Sequence, residues 1–304
     1  MKNSQYFKTA ELLLRILPII RRENNFALKG GTALNFFVRN LPRLSVDIDL
    51  AYLPVKSRTE SLKAISESLA QIEMRILELI PGTRSQRKTV DGLIIGLIIN
   101  NQTSTVKIEP NTIIRGSVYP PAEYSLCEQG KKIFELSVNV ISLAKEELYA
   151  GKICAALDRQ HPRDLFDIKL LLENEGITES MRKAFIVYLI SHNRPISELL
   201  CPNFQDISVI FDQEFQGMII GHIELDELLH TRHMLVQEIN STLTDSEKQF
   251  LFSFKSRNPN WELLGIPGIQ NLPAVKWKLV NLNKMDLKQH SEALFKLEKI
   301  LMGI

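Results

Sequence analysis

The chain is poor in the residues that staple a fold together or anchor it in a membrane. Its 304 residues hold three cysteines, Cys127, Cys154 and Cys201, widely spaced and without a C-x-x-C pair, so neither a disulfide framework nor a structural zinc site is indicated. Apolar stretches such as Leu93 to Ile99, interrupted by Gly96, fall far short of the roughly 20 residues that span a bilayer, and no membrane partner is expected. Near the start, Glu11 and Arg15 punctuate Leu12, Leu13, Leu14, Ile16 and Leu17 at helical spacing, which reads as an amphipathic helix rather than a signal peptide. A cytoplasmic location is expected. Charge of one sign is also lacking: 37 Lys and Arg against 35 Asp and Glu give a net charge of +2, which excludes a polybasic, histone-like binder. What remains, 44% hydrophobic and 24% charged, is the composition of an ordinary globular protein, and the length favours about two domains.

Residues 4–23 carry helical periodicity that breaks at Asn24-Asn25, after which Phe26-Ala27-Leu28 leads into Gly30-Gly31-Thr32 and a helix to about Val38, a strand–glycine turn–helix pattern. Ser45 to Leu53 alternates with a period near two, as a strand does, and carries Asp47 and Asp49. A helix is predicted over 57–80 from Leu62, Ile65, Leu69, Ile72, Ile76 and Leu79, ending at Pro81-Gly82. Arg84, Arg87 and Lys88 read as a basic loop, Leu93–Ile99 and Thr103–Ile108 as a hairpin closed by Asn100-Asn101, and Phe134–Val140 as a further strand. Ser142 opens a helix to about Arg159, His161-Pro162 interrupts it, and a helix resumes near Asp164, with mostly helical periodicity beyond. A domain boundary is placed near residue 141.

Asp47 and Asp49, at i and i+2 on one strand, project from the same face and can share a hard divalent cation. The alternative is two acids exposed on a polar face, although Leu50-Ala51-Tyr52-Leu53 make the strand largely apolar. Gly30-Gly31-Thr32 offers unhindered N–H groups at a helix start, where phosphate is favoured, or is simply a tight turn. It is not a Walker A loop, because Lys29 precedes the glycines. Glu109 adds a third carboxylate if its strand neighbours that of Asp47. Together these parts supply what nucleotidyl transfer needs: a bound triphosphate and two metal ions held about 3.5–4 Å apart. His230 and His233 lack a third ligand at matching spacing and are not assigned zinc. Lys276, Lys278, Lys284 and Lys288, with Trp277 among them, read either as a solvated face or as a group able to meet RNA phosphates.

The segments GGTALNFF and RLSVDIDL resemble the signature of the nucleotidyltransferase superfamily in the form found in AbiEii-like toxins of type IV toxin–antitoxin and abortive-infection systems. YAGKICAALDRQHPRDLFDIKLL is similar to that family's second signature, and WELLGIPGIQNLPAVKWKLVNL resembles its C-terminal region. The resemblance implies an α/β fold: an N-terminal nucleotidyltransferase domain over 1–141 with a mixed sheet and flanking helices, and a mostly α-helical C-terminal domain over 142–304 completing the active-site cleft. It implies that Gly30, Gly31 and Thr32 meet nucleotide phosphate, with Thr32 in a position often held by serine. Asp47 and Asp49 match the metal-binding pair, Glu109 the third acid by position, Lys152 a triphosphate contact, and Asp167 the acid of the last motif. Asp164 is expected to cap its helix.

The implied reaction moves a nucleoside monophosphate from Mg-NTP to an acceptor hydroxyl, a tRNA 3′ end being one acceptor. Mg2+ is the implied cofactor, NTP the substrate, and a cognate antitoxin a partner. Two alternatives stay open, nucleotidylation of a protein hydroxyl and a non-catalytic nucleotide-binding interaction module.

Overall fold

The computed structural model describes residues 5–219 and 221–303. The chain divides into two compact units, one of Met1–Leu148 with Gly217–Ile220, the other of Tyr149–Gln216 with Gly221–Ile304. Residue 141, where the sequence places a boundary, lies within a strand of the first unit.

In the first unit, α1 (Gln5–Ile20), β1 (Phe26–Lys29), the short helix α2 (Gly30–Ala33) with a π-helical turn over Leu34–Val38, and β2 (Asp47–Tyr52) come first. Helix α3 (Arg58–Leu79) is followed by β3 (Arg84–Val90), β4 (Leu93–Asn100), β5 (Thr105–Asn111), β6 (Ala122–Ser125), α4 (Glu128–Phe134) and β7 (Asn139–Ser142). The strands form one mixed sheet in the order β3-β4-β5-β2-β1-β7-β6. Its centre is defined by β2, antiparallel to β1 and parallel to β5.

Alternation sorts the two faces of that centre. Ile48 and Leu50 on β2, Val106 and Ile108 on β5, and Leu97 and Ile99 on β4 are buried, and register places Ile48 beside Ile108 and Leu97 beside Ile108. Helix α3 packs on β4, and α1 on α3, β5 and β7. Ile65, Leu69, Ile72 and Ile76 bury one face of α3 as its spacing predicts, each contributing about 1.5–3 kcal/mol by leaving water. A capping box starts this helix: Glu60 N–H donates to Ser57 Oγ at 3.3 Å, and Ser57 N–H to Glu60 Oε2 at 3.2 Å.

Two expectations require correction. The basic segment read as a loop is strand β3, antiparallel to β4 and irregular between Lys88 and Thr89. The strand predicted over Phe134–Val140 begins only at Asn139, because Phe134 ends helix α4.

The second unit is helical. Helix α5 (Lys145–Asp158), which belongs to this unit from Tyr149 onward, leads to α6 (Pro162–Asn174), α7 (Glu179–Ser191), α8 (Ile196–Leu200), α9 (Ser208–Ile210), α10 (Leu225–Thr242), α11 (Asp245–Lys255), α12 (Pro273–Lys284) and α13 (Leu287–Met302). Helix α10 packs on α6, while α11 and α12 both pack on α7. Phe185, Phe250 and Phe254 are fully buried, and Trp261 lies 5.8 Å from Phe250 between ring centres. No helix among the described residues is long and apolar enough to cross a membrane.

Ile48, between the two aspartates of β2, is completely buried. Ile48→Ala is expected to cost about 2–5 kcal/mol and Ile48→Val about 0.5–1.5 kcal/mol, measured by denaturant unfolding. Equal costs would contradict tight packing beneath β2.

Candidate active site

The site in the first unit is built where β1 ends. Lys29, its last residue, stands opposite Asp49 in the antiparallel register. The chain then turns at Gly30, whose φ of +73° lies in the left-handed region that favours glycine. A Cβ at Gly30 would fall 2.3 Å from Asp49 Oδ2, so the carboxylate occupies space that any side chain would fill. A Cβ at Gly31 would lie 2.8 Å from an Arg43 guanidinium nitrogen and 3.2 Å from Ser45 Oγ. The Thr32 hydroxyl donates to the Asp47 carbonyl at 2.6 Å and shares that hydrogen with Ser45 Oγ at 2.9 Å. Three consecutive turn residues thus interlock with the segment from Arg43 to Asp49.

Arg43 is itself held. It is buried, its Nη1 donates to the Leu44 carbonyl at 3.0 Å, and its backbone bridges to Ile219. Leu44 N–H donates to Met218 O at 2.8 Å, so a return segment of the same unit fixes the entry to β2. Sequence reading left Arg43 and Ser45 out of the site. Their signal was their place within RLSVDIDL, but what they touch depends on a contact between two loops.

Asp47 and Asp49 alternate with buried Ile48 and so share the opposite face of β2. Glu109 is on the neighbouring strand, in register with Asp49. Its carboxylate meets Lys88 Nζ at 3.1 Å, and Lys88 reaches it by crossing Gly96, where a Cβ would come within 3.7 Å of the lysine chain. Among the described residues no three His, Cys, Asp or Glu gather as a metal-binding group. The Asp47–Asp49 pair, with hard oxygen donors on one face, fits a divalent cation such as Mg2+; Glu109 fits as a third ligand only on leaving Lys88.

Lys152 and Asp167 lie in the second unit, and the structure brings them together. The Lys152 ammonium is 2.9 Å from Asp164 Oδ1 and 3.0 Å from Asp167 Oδ2, with all three side chains buried. Arg159 adds bonds to Asp164 at 2.5 and 3.0 Å. Burial alone would push the Asp164 carboxyl up, but Lys152 and Arg159 outweigh it and hold the group well below the ordinary carboxylate range.

Asp164 was expected to cap α6, but the cap is His161, whose Nδ1 accepts from Arg163 N–H at 3.1 Å. Burial, assisted by Arg163, pushes the His161 imidazole below its ordinary value, which preserves the neutral ring that an accepting Nδ1 requires.

The remaining candidates separate plainly. All three cysteines are free, and burial raises the Cys154 thiol, which keeps it from acting as a thiolate nucleophile. His233 packs edge-on against Phe204 at 4.5 Å between ring centres.

A mixed sheet that presents paired aspartates beside a glycine turn at a helix start defines a nucleotidyltransferase-like α/β protein. Residues 11–276 match the family model described as nucleotidyl transferase AbiEii toxin, type IV TA system, and the chain belongs to that family. It is similar in fold to MenT4, a nucleotidyltransferase toxin from Mycobacterium tuberculosis H37Rv, with a TM-score of 0.59 and 15% identity over 91% of this chain and 93% of that one. No curated protein matches. Family membership implies nucleotidyl transfer from an NTP and an antitoxin partner.

Two outcomes follow from this geometry. Gly30→Ala should lower the melting temperature of the first unit and displace Asp49, because it adds positive-φ strain of about 1 kcal/mol to a steric conflict; an unchanged Asp49 position in a crystal structure would contradict the interlock. The His161 value is lowered on folding from 6.5, so the unfolded chain binds the proton first as pH falls. Its stabilising contribution is present above about pH 6.5 and is lost as pH drops through the folded value. Urea unfolding should show that loss in the wild type and not in His161→Asn, which caps without titrating.

Proposed function

We propose that this chain transfers a nucleoside monophosphate from Mg-NTP to an acceptor hydroxyl, with a tRNA 3′ end as the acceptor. The observation that carries this reading is the Asp49 carboxylate seated on the Gly30 turn, on the same strand face as Asp47. Asp47 and Asp49 would hold the metal, with Glu109 as third acid once released from Lys88. Bound there, the metal supplies electrostatic relief of charge on the reacting phosphate. The amides of Gly30, Gly31 and Thr32, at the start of α2, would meet phosphate oxygens, as the family resemblance implies. The Thr32 side chain holds the turn to β2, so its part in binding is to fix those amides.

Lys152 and Asp167 are proposed to serve the nucleotide, as the family resemblance implies. The supported part of that role is positional: Lys152 is enclosed by two carboxylates and orders the facing sides of α5 and α6. Removing its charge leaves two buried carboxylates without their shared partner, so Lys152→Met is expected to cost about 3–5 kcal/mol. A variant that kept full stability while its KM for NTP rose would place Lys152 on the triphosphate instead.

The test is incubation with each α-labelled NTP and total tRNA. Label is expected in RNA with the wild type and in no product with Asp47→Ala, whose circular dichroism should be unchanged. Retained transfer by Asp47→Ala would sink the assignment, label in polypeptide would move the acceptor to a protein hydroxyl, and NTP binding without transfer would mark a non-catalytic module.

A further inference from the structure

The face of the first unit's sheet that carries the paired aspartates continues past them as an open polar surface. Directly paired residues of neighbouring strands point to the same side, so register extends that face across β5, β4 and β3. Asp47 of β2 is paired with Lys107 of β5, Lys107 with Ile98 of β4, and Ile98 with Gln86 of β3. In the next row Asp49 is paired with Glu109, and Gly96 with Lys88, whose ammonium crosses that glycine to meet Glu109 at 3.1 Å. On the other side of the Lys107 row, Thr105, Asn100 and Arg84 form a third. Alternate residues of β3 turn towards α3, and Arg87 donates to Glu73 of that helix at 2.7 Å. Helix α3 packs on that side of β4, while Arg84, Gln86, Lys88, Thr105 and Lys107 are exposed on the other.

Charge on this surface is one-sided, although the chain as a whole is nearly balanced. Glu109 is the sole acid of β3, β4 and β5, and Lys88 neutralises it. Among the described residues, the side chains of Lys107 and Arg84 have neither an ion pair nor a hydrogen bond. With strands about 4.8 Å apart and a rise of about 3.3 Å per residue, Arg84 stands roughly 12 Å from Lys107. That spacing suits successive phosphates of one strand rather than a single ion. The three rows contain no aromatic side chain on which a base could stack, so recognition there falls on the backbone.

We propose that this open face of β3, β4 and β5 is the track for the acceptor: the phosphodiester backbone of a single-stranded RNA segment, held by Lys107 and Arg84 and running to Asp47 and Asp49. The inference rests on the transfer reading for the role of the RNA's terminal hydroxyl, and adds to it the surface that takes the strand. A protein acceptor brings no regular array of anions to match these cations, whereas each nucleotide of an RNA strand brings one.

The test is equilibrium binding of short, 5′-fluorescein-labelled oligo-A and oligo-U RNAs to the full chain by anisotropy, without NTP or divalent metal, over a range of salt concentrations. Arg84→Gln and Lys107→Gln are each expected to lower the slope of log affinity against log salt by about 0.7, the value for one phosphate of a single strand. The double variant is expected to bind roughly tenfold more weakly at low salt, and the two RNAs to behave alike. Lys63→Gln, at an exposed lysine of α3, should change neither slope nor affinity. An unchanged slope in the double variant, an equal loss in Lys63→Gln, or label carried from NTP into polypeptide and not into RNA overturns the proposal. RNA that binds in the expected way but is never labelled with Mg-NTP present overturns the transfer reading instead and leaves the RNA-binding face standing.

Discussion

The Asp49 carboxylate can rest on the turn after β1 because residue 30 has no Cβ. The other features of the first-unit site follow from that contact. Antiparallel pairing of β1 with β2 brings Lys29 opposite Asp49, and the chain must leave the sheet at once in a left-handed turn that glycine adopts readily. The next two residues then meet Arg43, Ser45 and Asp47. A site in which backbone amides and two carboxylates must be held together is thereby fixed by close contact rather than by long flexible side chains, the kind of preorganisation that electrostatic catalysis requires.

A different principle orders α5 and α6. There, four charges meet: Lys152 and Arg159 converge on Asp164, and Lys152 also meets Asp167. Enclosure of Lys152 by two acids meets the condition under which buried charge is tolerated, each ion having partners and hydrogen bonds. Asp164 is not free to cap because its carboxylate is claimed by this group, and His161 takes that place with an imidazole kept neutral by burial.

Much of the fold was legible in residue periodicity. The α3 stripe, the β4–β5 hairpin and the alternation that places Asp47 and Asp49 on one face all have strong local signals, and the expected adjacency of Glu109 is realised by parallel pairing of β2 with β5. Strand β3 escaped because most of its residues are exposed on both faces, so Arg84 to Val90 carries no apolar alternation. Strand β7 was blurred because its apolar approach includes Phe134, which belongs to a helix. In the site, residue types were readable but partners were not. Nothing local tells that Glu109 meets Lys88 across Gly96, that Arg43 lies against Gly31, or that residues near Met218 return to support them. These are contacts of high sequence separation, fixed by tertiary register.

The central claim is that the glycine turn and the paired aspartates form one metal- and nucleotide-binding unit. Its most direct test is an equilibrium titration of Mn2+ by electron paramagnetic resonance, with a non-hydrolysable NTP present, on the wild type, Gly30→Ala and Asp49→Asn. The account predicts saturable, NTP-dependent Mn2+ binding in the wild type and at least tenfold weaker binding in both variants. Equal Mn2+ affinity in all three proteins would contradict it.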